Sequence, residues 1–241
     1  MNQLFAGLLL ASATTIAFAA DKAAPAAPFH AEYRALHNGD DIGLTTLDLS
    51  DNHDGTWTLR SETRGTSGLA KLAGIHISET SHFRWHDGRP EAIDYRYRED
   101  SAIKKRERHA AFDQKAGEVH VEEGGDTFRY ATVPGLIDRH AVTLALATDL
   151  KRGASSFDYK VAVKDHIEDM HYERAGTEKM SVPAGEFDVV LMRRIGEPGS
   201  DRKRVARSWF AQSLGWMPVQ IEQTEKKGDT ITLKLVSVHH D

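Results

Sequence analysis

Residues 29–35 of this chain read FHAEYRA, a strict alternation of apolar and polar side chains. Successive side chains of an extended chain point to opposite faces, so this pattern is typical of a β-strand with one buried face. Comparable alternation recurs along the sequence, separated by turn sequences such as Asp54-Gly55. Short strands joined by tight turns favour an antiparallel meander. The other predicted strands cover residues 56–64, 93–99, 119–122, 156–163, 187–194, 205–211, 217–223 and 230–238.

One segment has a helical period instead. Val142, Leu146 and Leu150 recur every four residues and would form a single apolar stripe. Asp138 stands where a helix N-cap is expected, and Gly153 stands where a helix commonly ends. The spacing therefore predicts an amphipathic helix over about 138–151.

The strand at residues 187–194 is apolar on both faces, with Phe187, Val189 and Leu191 on one and Val190 and Met192 on the other. A strand of this kind is covered on both sides, as it would be beneath a helix. We therefore predict a mainly β fold of one domain. Its antiparallel meander forms a strongly curved sheet, an open barrel or a sandwich, with the helix packed on it.

The amino-terminal sequence predicts the subcellular location of the protein. An apolar run from residue 4 to 18 ends in Ala17-Phe18-Ala19, which is typical of a cleaved secretory signal and too short for a membrane span. Since no Cys follows the small residues, no lipid anchor is expected. We predict a signal peptide over 1–19, a disordered Ala/Pro leader over 20–28 and a single β-rich domain over 29–241, located in the periplasm.

Composition excludes several classes of function. The chain has 31 Lys and Arg against 36 Asp and Glu, a net charge of −5, which argues against a nucleic-acid partner. It has no Cys, which excludes disulfides, thiolate metal sites and a Cys nucleophile. Its sequence contains no Gly-rich phosphate loop, and we predict no cofactor.

No motif for catalysis or metal binding is complete. The loop at residues 50–55 resembles a calcium loop, but Ser61 stands where a bidentate Glu is needed, so a hairpin turn is the better prediction. The 13 His residues show no zinc-binding spacing. The stretch at 65–68 is one residue short of a nucleophile elbow, and Asp138 is better explained as an N-cap than as a catalytic acid. We therefore predict neither catalytic residues nor a metal site.

Basic residues are concentrated in one predicted hairpin. Arg96 and Arg98 share a face of its first strand, and Arg106 and Arg108 share a face of its second. In an even register Arg96 would lie opposite Arg106, which destabilises a sheet unless an anion neutralises both charges. In an odd register that conflict fades. The alternatives are a site for phosphate or carboxylate groups and a solvated face offset by nearby acids. A second basic cluster lies at residues 202–204, together with Arg207.

Two tryptophans near the carboxyl terminus complete the candidate binding residues. Trp209 lies in a predicted strand, and Trp216 lies on a polar face at the start of the next strand. A Trp in this setting is either the wall of a pocket or a cross-strand packing partner.

Several of these phrases occur together in a known family. The Pro183-Ala184-Gly185-x-Phe187 turn, the Trp-Phe pair followed by LGWMPV at 214–219, and the helix that follows Asp138 resemble the exported bacterial family known as domain of unknown function 3108. The sequence motifs that carry the resemblance lie in residues 138–150 and 180–221. The resemblance implies a location in the envelope and a β-rich fold, but neither an activity nor catalytic residues.

The sequence favours a binding function over a catalytic one. Strands, aromatic residues and a covering helix suit a sheet whose concavity binds an amphiphile, a glycan or an envelope protein. The alternative is a hydrolase or lyase acting on cell-envelope polymers, with acid and base residues drawn from separate strands. No oligomeric state is predicted.

Overall fold

The computed structural model describes residues 24–196, 205–224 and 228–240, and most of them are in β-strands. The helices are α1 (Gly68–Leu72) and α2 (Val142–Lys151), and Gln212–Leu214 form a 3₁₀ turn. The strands are β1 (Phe29–His37), β2 (Asp40–Asp51), β3 (Trp57–Gly65), β4 (His76–His86), β5 (Arg89–Asp100), β6 (Lys105–Asp113), β7 (Glu118–Glu123), β8 (Asp126–Ala131), β9 (Ile137–Asp138), β10 (Phe157–Ala162), β11 (Ile167–Val182), β12 (Gly185–Ile195), β13 (Val205–Ala211), β14 (Met217–Thr224) and β15 (Thr230–His240).

The fifteen strands in the described ranges belong to one sheet made of two meanders. The first runs from β1 to β8 and the second from β9 to β15, each strand pairing with the next along the chain. Every pair is antiparallel except β9 with β10, which is parallel. The meanders join where β1 pairs with β15, so that Tyr33 lies opposite Leu235. This topology confirms the predicted antiparallel meander.

The sheet curls until its two ends approach each other. The Tyr130 hydroxyl on β8 donates to the Val163 carbonyl just after β10, at 2.9 Å. The Ala92 amide on β5 donates to the Leu136 carbonyl just before β9, also at 2.9 Å. No strand pairing joins β8 to β9 within the described ranges, so the sheet is strongly curved but open.

Helix α2 packs on the second meander as the apolar stripe predicts. Val142, Leu146 and Leu150 are buried in one core with aromatic side chains of β10 and β13, among them Phe157 and Phe210. The helix ends as expected, because Gly153 just beyond it adopts a left-handed φ of 71°. The predicted amphipathic helix is confirmed.

The start of α2 differs from the prediction. Asp138 is not the N-cap, because residues 137–138 form β9 and are held extended by their pairing with β10. The helix begins only at Val142. The Asp138 carboxylate still stabilises the turn ahead of it, since Oδ1 accepts the Ala141 amide at 3.0 Å.

A buried ion-pair network fastens the other end of α2. The Asp149 side chain has no exposed surface, and it accepts hydrogen bonds from Arg89 of β5 and from Arg152. The buried Tyr159 hydroxyl of β10 donates to the same carboxylate at 2.8 Å. Charged hydrogen bonds of this kind are among the stronger ones in proteins, so they fix α2 against both meanders.

Strand β12 contributes a buried side chain to each of its faces, which agrees with its apolar sequence. Val189 lies in a core that spans the junction of the meanders and includes Tyr33 and Leu235. Met192, on the opposite face, lies in the core beneath α2. One hydrophobic core thus lies at the junction of the meanders, and a second lies between the sheet and α2.

Candidate ligand-binding site

A partly open cavity of about 360 Å³ lies between α2 and the sheet at the junction of the meanders. The first meander lines it with Tyr33, Leu47 and Leu59, and the second with Met217 and Leu233. A volume of this order lies at the lower end of the range for small-molecule sites, and such sites are mostly apolar. We call this space the α2 cavity.

Helix α2 faces the cavity with a side of its own. Thr143, Leu144, Ala147, Thr148 and Lys151 line it, at spacings of three or four residues. The opposite side carries the apolar stripe that packs in the core. Helix α2 therefore separates a packed hydrophobic core on one side from the α2 cavity on the other.

The segment at residues 25–27 closes one side of the cavity. The Lys151 ammonium donates to the Pro25 carbonyl at 3.1 Å and so holds this segment against α2. These residues are the second half of the predicted leader. The first part of that leader and the predicted signal at 1–19 lie outside the described residues.

A polar cluster lies where the chain enters α2. Ser81 of β4 places its hydroxyl oxygen 2.7 Å from Asp138 Oδ1 and 3.0 Å from His140 Nδ1. Ser81 and Asp138 are buried, whereas His140 lines the cavity. Burial raises the pKa of Asp138, although His140 and the hydrogen bond from Ser81 act in the opposite direction.

A second carboxyl group borders the same part of the cavity. Glu79 of β4 lines it and accepts a hydrogen bond from the Tyr95 hydroxyl of β5 at 2.7 Å. Burial, with the negative charge of Glu79 beside it, raises the pKa of Tyr95 far above its ordinary value, so the phenol stays protonated. One end of this mainly apolar cavity is therefore lined with a histidine and a carboxyl group.

The basic hairpin adopts an odd register, the alternative in which the conflict between cations fades. Asp100 pairs with Lys105, which places Arg96 opposite His109 and Arg98 opposite Glu107. The turn decides this register, because the Lys104 amide donates to the Ser101 hydroxyl oxygen at 3.0 Å and the Ser101 amide donates back to the Lys104 carbonyl.

The four predicted arginines lie on two faces of the sheet, outside the α2 cavity. Arg106 and Arg108 share one face and both bind Glu123. Although burial acts to raise it, hydrogen bonds from these arginines hold the pKa of Glu123 below its usual range.

Arg96 and Arg98, on the opposite face, pair with Asp94 and with Asp100 and Glu107. The four arginines border two surface depressions of about 560 and 540 Å³ that are lined mainly by charged and polar side chains. A binding role for these arginines stays a prediction. The basic cluster at residues 202–204 lies outside the described residues.

The two tryptophans have different surroundings. Trp209 is buried in the core at the junction of the meanders, and its indole N–H donates to Glu178 at 2.6 Å. Trp216 lines the α2 cavity. Its backbone adopts a left-handed φ of 68°, which costs a bulky residue about 1–3 kcal/mol. Trp216 is therefore a wall of the cavity, and Trp209 is a packing residue.

Sequence reasoning missed Ser81, Glu79 and His140. Ser81 and His140 are 59 positions apart and meet only because β4 lies beside the segment that leads into α2. Their nearest signal in the sequence was Asp138, which lies two residues before His140.

Among the residues that the structure describes, no group of three or more His, Asp or Glu side chains is arranged to hold a metal ion. In the same part of the chain, neither helix has the length and apolar character needed to cross a membrane.

Comparison with known proteins gives a fold and a family. A crystal structure of a beta-barrel-like protein of domain of unknown function DUF1849 from Brucella abortus matches 89% of this chain and 98% of its own, at 10% identity and a TM-score of 0.56. A "putative lipoprotein" from Parabacteroides distasonis covers 90% of this chain and 97% of its own at 8% identity, but its TM-score of 0.34 is too low to support an argument. No protein with a curated description matches. The profile of a family described as protein of unknown function (DUF3108) matches residues 29–236, so this chain belongs to the DUF3108 family.

Proposed function

We propose that this protein is exported to the periplasm, where it binds the hydrocarbon chain of an amphiphile in the α2 cavity without catalysing a reaction. The observation that carries the proposal is a partly open, mainly apolar cavity beneath a helix that is already packed on its other side. Side chains such as Leu47, Leu59 and Leu233 cannot satisfy the hydroxyls of a glycan, but they suit methylene groups.

The size of the cavity sets the scale of the binding energy. Each methylene removed from water contributes about 0.8 kcal/mol, so a chain that buries eight of them gains roughly 6 kcal/mol before the entropic costs of association. A hydrogen-bonding end gives such a ligand a place for its polar head, as expected for an amphiphile and not for a pure hydrocarbon.

The alternative function, cleavage of an envelope polymer by a hydrolase or lyase reaction, has weaker support. The cavity does bring a histidine near two carboxyl groups. However, Ser81 is fully buried, and its hydroxyl lies in hydrogen-bonding contact with Asp138 as well as with His140. Ser81, unlike His140, does not line the cavity, and its hydroxyl has two protein partners, so the cluster is better suited to holding His140 in place than to nucleophilic attack.

The proposal is tested with N-phenyl-1-naphthylamine, an apolar dye whose fluorescence rises in a hydrophobic site. The wild-type protein should bind the dye, and decanol should displace it. Ala147→Trp would fill the cavity from the α2 side and should abolish dye binding. Ala102→Trp, the same change at an exposed position, should bind the dye like the wild type.

Equal binding by the Ala147→Trp and Ala102→Trp variants would contradict the proposal. Export is tested separately by the intact mass of protein recovered from a periplasmic extract. That mass should correspond to a chain that begins near Ala20, and an uncleaved amino terminus would contradict export by this signal.

A further inference from the structure

The hydrogen bonds around Asp138 determine where the protons of the polar cluster lie. Asp138 Oδ1 accepts the Ala141 amide at 3.0 Å and lies 2.7 Å from the Ser81 hydroxyl. A hydroxyl has a single proton, and Oδ1 is an acceptor here, so Ser81 donates to Asp138. Ser81 must then accept from its other neighbour, which is His140 Nδ1 at 3.0 Å.

This arrangement fixes the tautomer of His140. Because Nδ1 carries the proton that Ser81 accepts, Nε2 of the neutral imidazole is left with a lone pair. Nε2 is buried and has no hydrogen-bond partner among the described residues, although the His140 ring lines the cavity. A buried acceptor without a donor is costly, so it is a place where a ligand with a donor gains affinity.

Two carboxyl groups near His140 also act as hydrogen-bond acceptors. Glu79 lines the cavity, and an ionised carboxylate only accepts hydrogen bonds. Its negative charge is close enough to Asp138 to act on that group as well, and Asp138 Oδ2 is a second buried oxygen without a partner among the described residues. This end of the cavity therefore attracts donors and repels anions.

The cations that border the cavity are engaged elsewhere. Arg139 lies 3.7 Å from Glu168, and Lys151 donates to the Pro25 carbonyl. Lys151 is also eight residues further along α2 than Thr143, a distance of ~12 Å at 1.5 Å per residue. Lys151 is therefore remote from the start of α2, and the Arg139 guanidinium is already paired with a carboxylate.

From this geometry we infer that the ligand of the α2 cavity has a hydrogen-bond-donating head, a hydroxyl or an ammonium group, which His140 Nε2 and Glu79 receive while the hydrocarbon chain extends along α2. This inference rests on the proposed function, because it assumes that the cavity binds an amphiphile. It adds that fatty acids and other amphiphiles with an anionic head are disfavoured.

Three ligands that share one chain length test the inference by displacement of N-phenyl-1-naphthylamine at pH 8. Decanol and decylammonium have donor heads, whereas decanoate is an anion at that pH. For the wild type, both donors should bind roughly tenfold or more tightly than decanoate. In His140→Phe, which keeps a planar ring but lacks Nε2, the preference for decanol over decanoate should fall about fivefold or more. His171→Phe, a change of the same kind at an exposed position, should keep the wild-type preference.

The outcomes separate this inference from the proposed function. If the dye binds but decanoate displaces it as well as decanol does, the amphiphile site stands and the donor-head inference is wrong. If the dye does not bind, both fail. A measurement on the wild type does not depend on whether a variant folds. ¹⁵N NMR of the imidazole nitrogens should show that His140 is protonated at Nδ1. Protonation at Nε2 alone would overturn the inference.

Discussion

The carboxylate of Asp149 anchors α2, so replacing it should loosen the wall of the cavity. Asp149→Asn keeps the size of the side chain but removes its charge and converts one acceptor oxygen into a donor. The arginines and the Tyr159 hydroxyl would then face an amide that can satisfy only some of them. The substitution therefore tests whether this network holds the helix in place.

The expected loss follows from the contacts. Arg89 binds Asp149 at 2.7 and 2.9 Å through two nitrogens, and hydrogen bonds to charged groups are worth about 1.5–3 kcal/mol each. The side chains of Arg89 and Arg152 are 31% and 42% exposed, so water replaces part of what they lose. Counting one charged hydrogen bond and a weakened bond to Tyr159, we expect a loss of about 3 kcal/mol.

Urea unfolding of the two proteins measures this loss as a lower midpoint at an unchanged slope. Asp169→Asn is the matched control, because Asp169 forms an exposed ion pair with Lys160 at 2.6 Å and should change the free energy of unfolding by less than ~0.5 kcal/mol. A loss below about 1 kcal/mol for Asp149→Asn would refute the reasoning that this network anchors α2.

Three further predictions follow from the described contacts. Burial raises the pKa of Asp138 in the folded protein, so folding favours its protonated form. The contribution of this residue to stability should therefore fall as pH rises from about 4 through the raised pKa. Asp138→Asn should remove that part of the pH dependence of urea unfolding, and an unchanged pH profile would contradict the prediction. Met192→Ala, at a fully buried position beneath α2, should lower the free energy of unfolding by about 2–4 kcal/mol, and a loss under ~1 kcal/mol would show that the core refills. The double change of Arg96 and Arg98 to Ala should leave dye and decanol affinities within about twofold of the wild type, since both side chains lie outside the α2 cavity, and a tenfold loss would place them at the site.

The strands and the core of this fold could be predicted from its sequence because both depend on local periodicity. Alternation at 29–35 marks β1, and the four-residue repeat of Val142, Leu146 and Leu150 marks the buried side of α2. Strand β9 could not be predicted in this way. It has two residues, and it is extended only because it pairs with β10, which is distant in sequence. For the same reason the local pattern predicts a helix cap at Asp138, whereas the structure places this residue in β9.

The candidate site was less accessible to sequence reasoning because it depends on contacts between distant segments. Ser81 on β4 shows nothing unusual in its local sequence, and its importance comes from Asp138 and His140, more than fifty positions away. The basic hairpin is the complementary case. Its charges are conspicuous in the sequence, but the turn at Ser101 sets a register in which Arg98 faces Glu107 and not another cation.

The central claim is that the α2 cavity binds a hydrocarbon chain, and a crystal structure of the wild-type protein with 10-bromodecanol tests it most directly. The anomalous signal of bromine locates one end of the ligand, and electron density locates the hydroxyl at the other. We predict that the chain lies between α2 and the sheet, with bromine inside the cavity and the hydroxyl within hydrogen-bonding distance of His140 Nε2. A bromine signal only on the outer surface of the sheet, with nothing bound in the cavity, would contradict the account.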